Sequence, residues 1–400
     1  MKILVINSGS SSIKFKFYDL KIQKCLASGM IEQIGDEVSH SKIETCDGKT
    51  IEENMEIRTH DEGIVILNRY LKETGVLTDL KEIDGVGHRI VQGADYFEGP
   101  ALVDDDVITK IEELIPLAPL HNPAHLSGIR SSLRHAPCLP NVVVFDNTFY
   151  HNIPDYAYMY ALPYKFYEKY RVRKFGAHGI SHEFVTKKGA DFLGIDYKNF
   201  CVISLHIGSG SSISATKDGI CIDTSMGLTP PEGLMMSTRC GSVDPAIIPY
   251  MKRVAGYLSE DRDTIMNKKS GLLGITGTSD FRKVLERMHK GDERAKLAFD
   301  MLTYQIVKII GSYYAILPRV DAIIWTAGIG ENSAELREAV SKRLAHLGVV
   351  GVDETVNVNC IKKPTDISSQ NATIKTLVIP TDEEYSIAKA TERILLSLKK

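Results

Sequence analysis

The sequence has few of the features that mark secreted, membrane-spanning or nucleic-acid-binding proteins. Seven cysteines are scattered along the 400 residues without a CxxC pair, which argues against a disulfide framework or a zinc ribbon. No run of about 18 apolar residues occurs, and the N-terminal sequence MKILVINSGSSS is too short and too polar for a signal peptide. The formal net charge of −3 gives no reason to expect nucleic acid as a partner. We therefore expect a cytoplasmic protein that binds neither nucleic acid nor membrane.

The composition is that of a globular protein large enough for two domains. Hydrophobic residues make up 43% of the chain and charged residues 25%, so each domain can bury a core of ordinary size. Short β-rich runs alternate with amphipathic helical stretches, a pattern typical of α/β proteins with mixed sheets. The predicted strands are Lys2–Ile6, Ile13–Tyr18, Gly85–Ile90, Val142–Asp146, Cys201–His206, Ile213–Thr216 and Ala322–Thr326. The predicted helices are Thr59–Thr74, Ala124–Ala136, Ser181–Leu193, Ala295–Leu317, Ser333–Leu347 and Glu383–Leu398.

Two strand–turn–strand segments about half the chain apart read as copies of each other. The strand Lys2–Ile6 is followed by a serine-rich turn and a second strand, and Cys201–His206 is followed by the same plan. The tetrapeptide SGSS occurs in both turns, at residues 8–11 and 209–212. Because identical tetrapeptides here share a strand–turn–strand context, the repeat favours a duplicated domain.

Two predicted domains follow from this repeat and from the last helix. The boundary is placed near residue 150, before the proline-containing segment Asn152–Pro163. Because the two chain ends of such folds often meet, the last helix is expected to return to the first domain. The prediction is an N-terminal domain of residues 1–150 plus 384–400 and a C-terminal domain of residues 151–383.

Three glycine-rich segments follow predicted strands and could cradle phosphates. They are Asn7–Ser12, His206–Ser212 and Gly328–Asn332, and the third also precedes a predicted helix, whose N-terminus attracts anions. Glycine permits positive φ and lets backbone N–H groups approach a phosphate closely. None of the three matches a P-loop or a Rossmann fingerprint. Three such segments, two of them duplicated, predict a nucleotide held between two related halves.

Arginine and histidine residues in predicted loops could supply positive donors to a phosphoryl group. Arg89 ends a strand-like run, Arg239 lies in a stretch rich in glycine and proline, and His121 and His178 lie in loops. Phosphoryl transfer needs such donors around the equatorial oxygens, together with a metal ion that neutralises the remaining charge. These clusters therefore favour a phosphotransferase.

A zinc site is the alternative interpretation of the histidines. His178 and His182 have the i, i+4 spacing of a helical metal site, and Glu183 lies beside them. The order of the residues is not HExxH, and no third ligand is evident. The zinc interpretation is therefore the weaker one.

Long segments of the sequence resemble the acetate kinase, or acetokinase, family. They run in order over essentially the whole chain and comprise INSGSSSIKF, GHRIVQG, PLAPLHNP, FDNTFY, YALPYKFYEKY, HGISHE, SLHIGSGSS, DTSMGLTPPEGLMMSTRCGSVDP, SGLLGITG, TAGIGENS and PTDEE. The resemblance implies an α/β fold of two duplicated actin-like, ribonuclease H-like domains, with mixed sheets flanked by helices, around a nucleotide cleft. It also implies a homodimer that uses Mg²⁺, for which Mn²⁺ can substitute, with ATP and ADP as co-substrates. The implied reaction is the reversible transfer of the γ-phosphoryl group of ATP to acetate, giving acetyl phosphate and ADP.

The resemblance assigns catalytic and metal-binding roles to residues at matching positions. Asn7 and Glu383 would hold Mg²⁺, which prefers a few hard oxygen ligands together with water and phosphate. A planar guanidinium would suit both the acyl carboxylate and the phosphoryl group in flight. The implied catalytic set is Arg89, Asp146, His178 and Arg239, with His121 and His206 assisting nearby.

Three further sets of residues are implied to bind the substrates. The residues facing the ATP phosphates would be Ser10, Ser12 and Lys14. The residues lining the rest of the nucleotide site would be His206, Ile207, Gly208, Ser209, Gly210, Asp280, Phe281, Arg282, Gly328, Ile329, Gly330, Glu331 and Asn332. The residues around the acyl group would be Arg89, Val91, Leu120, Ala177 and Pro230.

The implied role of Asp146 can be tested against simple acid–base chemistry. A short carboxylic acid has a pKa of about 4 to 5, near that of aspartate and glutamate, so it is already ionised at neutral pH. Such a substrate needs no general base. We therefore expect Asp146 to orient Arg89 or another cation rather than to transfer a proton.

Ala177 is the departure from the family pattern that bears most on substrate choice. The family usually has phenylalanine at this position, before the catalytic histidine. A smaller side chain leaves room for a longer acyl tail unless a neighbour fills it, and each buried methylene is worth about 0.8 kcal/mol. A propionate or butyrate kinase with the same mechanism is therefore the alternative function.

Two other interpretations stay open from the sequence. A chaperone-like or actin-like ATPase would share the fold, but it would need a partner-binding segment that this chain, ending shortly after its last helix, does not show. A phosphoryl donor other than ATP would share the chemistry. The match of Gly328–Asn332 to the usual adenosine motif favours ATP.

Overall fold

The structure is a computed structural model that describes residues 1–257, 259–347, 351–360 and 362–398, with the side chains of residues 259–262 left out. Residues 399 and 400, the last two of the predicted N-terminal domain, lie outside this range. The described chain forms two compact units. The first unit comprises Met1–His151 and Asp382–Lys400, and the second comprises Asn152–Thr381. That these units act as two functional domains stays a prediction.

Fourteen strands are present in the described residues. They are β1 (Lys2–Gly9), β2 (Ser12–Asp19), β3 (Lys24–Glu32), β4 (Ser39–Thr45), β5 (Thr50–Met55), β6 (Gly85–Ile90), β7 (Ala101–Leu102), β8 (Asn141–Phe145), β9 (Val202–Ile207), β10 (Ser211–Lys217), β11 (Ile220–Thr224), β12 (Ala322–Thr326), β13 (Thr365–Asp366) and β14 (Lys375–Val378). Six of the seven predicted strands lie within two residues of these bounds, and β1 extends three residues beyond the predicted Lys2–Ile6.

Fifteen α-helices accompany the strands in the same part of the chain. They are α1 (His60–Glu73), α2 (Asp105–Glu113), α3 (Asn122–His135), α4 (Asp155–Tyr158), α5 (Lys165–Tyr170), α6 (Gly179–Leu193), α7 (Ile247–Ala255), α8 (Ser259–Lys268), α9 (Gly271–Thr276), α10 (Phe281–His289), α11 (Glu293–Ile316), α12 (Ala327–Asn332), α13 (Ala334–Leu344), α14 (Glu354–Asn359) and α15 (Glu383–Ser397). None of the helices described has both the length and the apolar character needed to span a membrane.

The first unit is built on an eight-stranded mixed sheet with the order β5-β4-β3-β2-β1-β6-β8-β7. Strands β1 to β5 are antiparallel neighbours, whereas β1, β6 and β8 run parallel. In β2, Ile13, Phe15 and Phe17 alternate with polar residues and pack in the core with Ile64 and Leu67 of α1. The alternation places Lys14 and Lys16 on the other face of the sheet.

Helix α15 packs against β1, β6 and β8 of the first unit. Glycines in β6 allow this close approach. A Cβ atom on Gly85 would lie 2.5 Å from Leu395, and one on Gly87 would lie 2.5 Å from the hydroxyl of Thr391. Either substitution would therefore push the helix away from the sheet. This packing places the N-terminus of α15, with Glu383, in the first unit.

The second unit contains a six-stranded mixed sheet with the order β11-β10-β9-β12-β14-β13. Strands β9, β12 and β14 run parallel, and they are buried along almost their whole length. Helix α6 packs on β9 and β12, and the long helix α11 packs on β9 and β10. The central strands are therefore covered by helices, and their sequences are mostly apolar.

The two sheets share one plan, which confirms the predicted duplicated α/β architecture. Each sheet contains three consecutive antiparallel strands. The first of these strands also pairs, on its other side, with a parallel strand, which in turn pairs with a second parallel strand. The first sheet has β3-β2-β1-β6-β8 in this arrangement, and the second has β11-β10-β9-β12-β14. The repeated SGSS sequences fall at the β1–β2 and β9–β10 turns, although residues 8–11 begin within β1 and residues 209–212 end within β10.

The glycine-rich segment Gly328–Asn332, which is absent from the predicted helices, forms most of helix α12. Glycine lowers intrinsic helix propensity, so the sequence argues against a helix here. Three hydrogen bonds from side chains, one buried and two partly buried, act against that tendency. Glu331 accepts from the backbone N–H of Ala327 at 2.8 Å, and Arg337 donates to the carbonyls of Gly330 and Glu331 at 2.7 and 3.0 Å.

Candidate active site

Arg89 and Asp146 lie at the carboxyl ends of neighbouring parallel strands in the first unit. Arg89 belongs to β6, and Asp146 follows β8 directly. The guanidinium donates to both carboxylate oxygens, with Nη2 at 2.6 Å and Nε at 3.3 Å. Asp146 is fully buried, and its own backbone N–H donates to the carbonyl of Ile90 at 2.8 Å. The pair is therefore held rigidly on two adjacent strands.

Glu383, the first residue of α15, lies beside this pair. Its carboxylate is 3.6 Å from Nε of Arg89. Burial raises the pKa of Glu383 to about 7, with Arg89 acting against the shift and Asp146 adding to it. For Arg89, burial lowers the pKa, but the carboxylates of Asp146 and Glu383 outweigh it, so that the pKa lies above its ordinary value. Arg89 therefore stays a cation between two carboxylates.

The orientation of Glu383 is fixed by the residue that precedes it. Asp382 caps α15, where its carboxylate accepts from the backbone N–H of Tyr385 at 3.1 Å. The same oxygen accepts from Nζ of Lys16 at 3.2 Å and from the hydroxyl of Tyr18 at 3.0 Å. Both partners project from β2. The helix start is thus bound to the sheet one residue before Glu383.

The predicted phosphate-binding residues of the first unit lie on the β1–β2 hairpin. Gly9 pairs with Ser12 across a two-residue turn, and Asn7 pairs with Lys14. Ser10 and Lys14 are exposed, whereas Asn7 and Ser12 are partly buried. A Cβ atom on Gly9 would lie 2.7 Å from the Ser12 hydroxyl. The turn is therefore tight, and its serine and lysine side chains can reach a ligand.

In the second unit, a serine hydroxyl joins two histidines. Oγ of Ser212 lies 2.9 Å from Nδ1 of His178 and 2.8 Å from Nε2 of His182. The other ring nitrogen of His182 lies 2.7 Å from Oγ of Ser204. Burial and the neighbouring His206 hold the pKa of His182 well below its ordinary range, so this ring is neutral. The orientation of His178 is thus determined by a buried hydrogen-bond chain.

His178 also stacks on His206 and adopts an unusual backbone conformation. The two ring centroids are 4.1 Å apart, with an angle of 17° between the planes. His178 has φ = 61° and directly precedes α6, so its backbone is in the left-handed region that non-glycine residues rarely adopt. Such strain is typical of functional sites and is maintained by surrounding contacts.

Arg239 approaches the same region of the second unit. A Cβ atom placed on Gly210 would lie 3.2 Å from Cε1 of His178 and 3.3 Å from Nη1 of Arg239. Both side chains therefore converge over this glycine. Burial lowers the pKa of Arg239, and no described side chain offsets this with an ion pair. A largely buried cation of this kind favours an anionic ligand.

The glycines of the three predicted phosphate segments have a different use from the one the sequence suggested. None of them has a positive φ. Close packing explains Gly9 and Gly210, where a Cβ atom would approach Ser12 to 2.7 Å and His178 to 3.2 Å, whereas a Cβ atom on Gly328 would meet nothing within 4 Å. A positive φ of 66° occurs at Ala327, directly before the third segment. The expectation of positive φ at these glycines is therefore wrong, and the lack of a side chain is the physical reason for two of them.

The predicted segment Asp280–Arg282 begins helix α10. Asp280 caps the helix and also accepts from the side chain of Arg282, which is almost fully exposed. The Phe281 ring is buried in the core near Phe299. Only the backbone of Phe281 could therefore contact a nucleotide, whereas the other two side chains can reach solvent.

The predicted acyl-pocket residues are divided between the units. Val91 is buried and Leu120 is half-exposed in the first unit. In the second unit Ala177 is buried in a small cluster with Met226 and Met236, and Pro230 is partly buried. The two methionines occupy space beside the small alanine side chain. The roles of all these site residues stay predictions.

The sequence motifs do not reveal the hydroxyl groups that orient the histidines. They assign no role to Ser181, Ser204 or Thr381, they place Ser212 only in a predicted phosphate segment, and His182 is considered only as a metal ligand. A signal was present, because Ser204 and His206 alternate along the otherwise apolar strand β9. Polar residues at a spacing of two within a buried strand indicate a shared polar face.

Arg89 in the first unit, and Arg239 with the stacked histidines in the second, are side chains of the kind that bind phosphate and carboxylate groups. Residues 2–389 match the model of the acetokinase family. The chain therefore belongs to the acetokinase family.

Individual relatives agree with this assignment. An acetate kinase of Campylobacter hominis is 99% identical over 400 residues, covering 100% of both chains. An acetate kinase of Campylobacter fetus subsp. fetus is 54% identical over 400 residues, again covering 100% of both chains.

Two solved structures match the fold closely. The Porphyromonas gingivalis acetate kinase has a TM-score of 0.93 and 39% identity, covering 98% of this chain and 99% of its own. A propionate kinase from Francisella tularensis subsp. tularensis SCHU S4 has a TM-score of 0.92 and 39% identity, with the same coverage. The actin-like fold implied by the sequence motifs is confirmed by these neighbours.

Proposed function

We propose that this protein catalyses the reversible transfer of the γ-phosphoryl group of ATP to acetate, giving acetyl phosphate and ADP. The observation that carries the proposal is the full-length relationship to acetate kinases, 99% identical in one case. The site supports it because Arg89 and Arg239 are largely buried cations suited to anionic groups. We propose the cytoplasm as the location.

Four residues of the protein would have separate roles in this reaction. Arg89, held by Asp146, would bind the acetate carboxylate, and Arg239 would neutralise charge on the transferring phosphoryl group. His178 would donate from Nε2 to a phosphoryl oxygen, because Nδ1 is engaged with Ser212. Asp146 would move no proton, since acetate is already a nucleophile at neutral pH.

A magnesium ion fits the residues predicted to hold it. Glu383 offers a buried carboxylate and Asn7 an amide oxygen, which are the hard donors that Mg²⁺ prefers alongside water and phosphate. Among the residues that the structure describes, no three acidic, histidine or cysteine side chains are placed so that they could hold a metal ion by themselves. A metal ion held mainly by phosphate and water would need only these two protein ligands. When bound, the ion, or Mn²⁺ in its place, would neutralise phosphate charge and orient the phosphates.

Most of the predicted nucleotide-binding residues lie on the β1–β2 hairpin, the β9–β10 hairpin and helix α12. Ser10, Ser12 and Lys14 would contact phosphates, and the β9–β10 turn and α12 would contribute backbone N–H groups. ATP is proposed as the donor because the TAGIGENS segment resembles the family's adenosine motif.

A longer acyl substrate is the second candidate, and Ala177 is the observation that favours it. The side chain of Ala177 is small where the family usually has phenylalanine. Met226 and Met236 pack beside it, and methionine adapts its shape readily. Propionate or butyrate could therefore be accepted in addition to acetate.

We also propose a homodimer. Helix α7 presents Ile247, Tyr250 and Val254 with 41%, 52% and 65% of their surface exposed, and none of its residues is buried. An apolar stripe of this kind is typical of a protein–protein interface. The size of the full-length protein in solution would test this, and Val254→Asp is expected to shift it toward the monomer.

The experiment that tests the function is a hydroxamate assay for acyl phosphate. The purified protein would be given ATP and Mg²⁺ with acetate, propionate or butyrate, and then other phosphoryl donors with acetate. Acetyl phosphate formation from ATP is the expected result. If no acid yields an acyl phosphate with any donor, the proposed function is wrong. Arg239→Ala serves as the control for contaminating activity, because it removes a proposed catalytic cation.

A further inference from the structure

A chain of hydrogen bonds runs from helix α12 to His206 within the second unit. The carboxylate of Glu331 accepts from the backbone N–H of Thr381 at 3.2 Å. The hydroxyl of Ser181, in the first turn of α6, donates to Oγ1 of Thr381 at 2.9 Å. The same Ser181 oxygen lies 2.8 Å from Nδ1 of His206. Residues from four separate elements are thus joined by short polar contacts.

The direction of these bonds determines which ring nitrogen of His206 carries a hydrogen. A serine hydroxyl has one hydrogen to donate and two lone pairs to accept with. Because Ser181 gives its hydrogen to Thr381, it can only accept from His206. Nδ1 must therefore be protonated. In the neutral ring, Nε2 is then an acceptor.

Burial makes this arrangement specific. Ser181 has no exposed surface, and His206 has 9%. A buried polar group that loses its partner is costly, so alternative orientations of the ring are disfavoured. His206 also stacks on His178, so the placement of one ring restricts the other. The hydrogen bonds that orient His206 therefore also influence the position of His178, the predicted catalytic histidine.

We propose that Ser181 and Thr381 are positioning residues that hold His206 as its Nδ1–H tautomer and link it to helix α12. The link makes the geometry of the histidine pair depend on the helix predicted to bind the nucleotide. Only the catalytic consequence rests on the proposed function, since the tautomer itself is a property of the protein alone.

The sharpest variant is Thr381→Val, which keeps the side-chain shape and removes the acceptor of the Ser181 hydrogen. Ser181 is then free to donate to Nδ1 of His206, and the ring is expected to switch to the Nε2–H tautomer. Thr381→Ser restores an acceptor hydroxyl and should restore the original tautomer. Thr303→Val is the matched control, because its buried hydroxyl donates only within helix α11, to the carbonyl of Phe299 at 2.8 Å.

The tautomer can be measured by ¹⁵N NMR of the histidine ring in the full-length protein, with the His206 signals assigned by their loss in His206→Gln. We expect a protonated Nδ1 in the wild type, Thr381→Ser and Thr303→Val, and a protonated Nε2 in Thr381→Val. An Nε2–H ring in the wild type would overturn the proposal, as would an unchanged tautomer in Thr381→Val.

Kinetics test the positioning role separately. Thr381→Val and Ser181→Ala are expected to lower kcat for acetyl phosphate formation about tenfold, less than loss of a complete charge-stabilising donor would. The KM for acetate should stay within about twofold, because Arg89 and Asp146 are untouched. Thr381→Ser should recover most of kcat. A changed tautomer with unchanged kcat would overturn the positioning role, whereas a wild type that makes no acyl phosphate would refute the proposed function and leave the NMR result to decide the tautomer.

Discussion

Arg89 and Asp146 form a bidentate ion pair from the ends of two adjacent parallel strands, with nitrogen–oxygen distances of 2.6 and 3.3 Å. Asp146 is completely buried, so the carboxylate cannot turn to another partner. A planar guanidinium fixed in this way keeps its remaining N–H donors in a constant direction. A fixed direction of this kind is what the proposed binding of the acetate carboxylate by Arg89 requires.

The first prediction concerns Asp146→Asn. The amide keeps the shape but loses the charge that orients Arg89, so kcat/KM for acetate should fall about tenfold to a hundredfold, as expected for a misplaced binding group. The shape of the pH profile of kcat/KM should stay the same, because no proton passes through this residue. Steady-state kinetics over a range of pH values would measure both.

The same experiment can contradict the positioning role. If Asp146→Asn removes a limb of the profile with a carboxylate-like pKa, Asp146 transfers a proton after all. Asp61→Asn is a suitable control, since Asp61 pairs with Arg134 in the same unit and has no proposed role in the site. Its kinetics should match those of the wild type.

The second prediction concerns Ala177→Phe. If the small side chain leaves room for a longer acyl tail, the larger one should lower kcat/KM for propionate about fourfold relative to acetate, and more for butyrate, since each lost methylene contact is worth about 0.8 kcal/mol. Rates measured in the hydroxamate assay with acetate, propionate and butyrate in turn would give the ratios of kcat/KM.

The methionines beside Ala177 supply the alternative outcome. Should Met226 and Met236 already fill the space, the phenylalanine would overpack the cluster and lower the rate for all three acids and the thermal stability together. A uniform loss of this kind would show that Ala177 does not determine acyl length.

The fold could be predicted well because its signals are local. The strands Gly85–Ile90 and Ala322–Thr326 have the same bounds in the sequence prediction and in the structure. Their apolar runs, ended by polar or glycine residues, need no tertiary information. The repeated hairpins likewise reveal the duplication, because the SGSS turns carry the repeat in the sequence itself.

The hydrogen-bond chains in the candidate site could not be predicted in the same way. Ser181, Ser212 and Thr381 come from α6, β10 and the segment after β14. The contacts of the two serines with histidines, and of Thr381 with Ser181, therefore depend on the packing of distant elements. Helix α12 was missed for a related reason. Its glycines oppose helix formation, and the buried Arg337 that binds its carbonyls lies on the next helix.

The third prediction concerns Gly210→Ala. The new Cβ atom would lie within 3.2–3.3 Å of His178 and Arg239, which is tighter than ordinary contact. Displacing these two side chains should lower kcat about a hundredfold. Because Gly210 does not have a positive φ, the backbone accepts alanine and the melting temperature should change little. Kinetics and thermal unfolding would be measured on the same preparation.

Gly311→Ala is the matched control for that experiment. Gly311 lies within α11, and a Cβ atom there meets nothing within 4 Å. Alanine should stabilise the helix by up to about 1 kcal/mol and leave kcat unchanged. Equal kinetics for Gly210→Ala and Gly311→Ala would show that His178 and Arg239 do not act at the position inferred here.

The fourth prediction concerns stability in acid. Burial lowers the pKa of His88 to about 4, although its hydrogen bond to Asn141 acts in the opposite direction. An unfolded histidine has a pKa of about 6.5. Between these values the unfolded state binds a proton that the folded state does not, so the free energy of unfolding falls as the pH falls from about 6.5 to about 4. His88 alone accounts for about 3 kcal/mol of this loss.

Urea unfolding at a series of pH values would test the contribution of His88. His88→Gln removes the titrating group and should make the decrease in unfolding free energy shallower over this range. Two other buried histidines, His125 with a pKa near 3 and His182 with a pKa well below its ordinary range, should preserve part of the decrease. His346→Gln, at an exposed position, should keep the wild-type slope. If His88→Gln also keeps that slope, His88 is protonated in the folded protein and the buried neutral ring inferred from its surroundings is wrong.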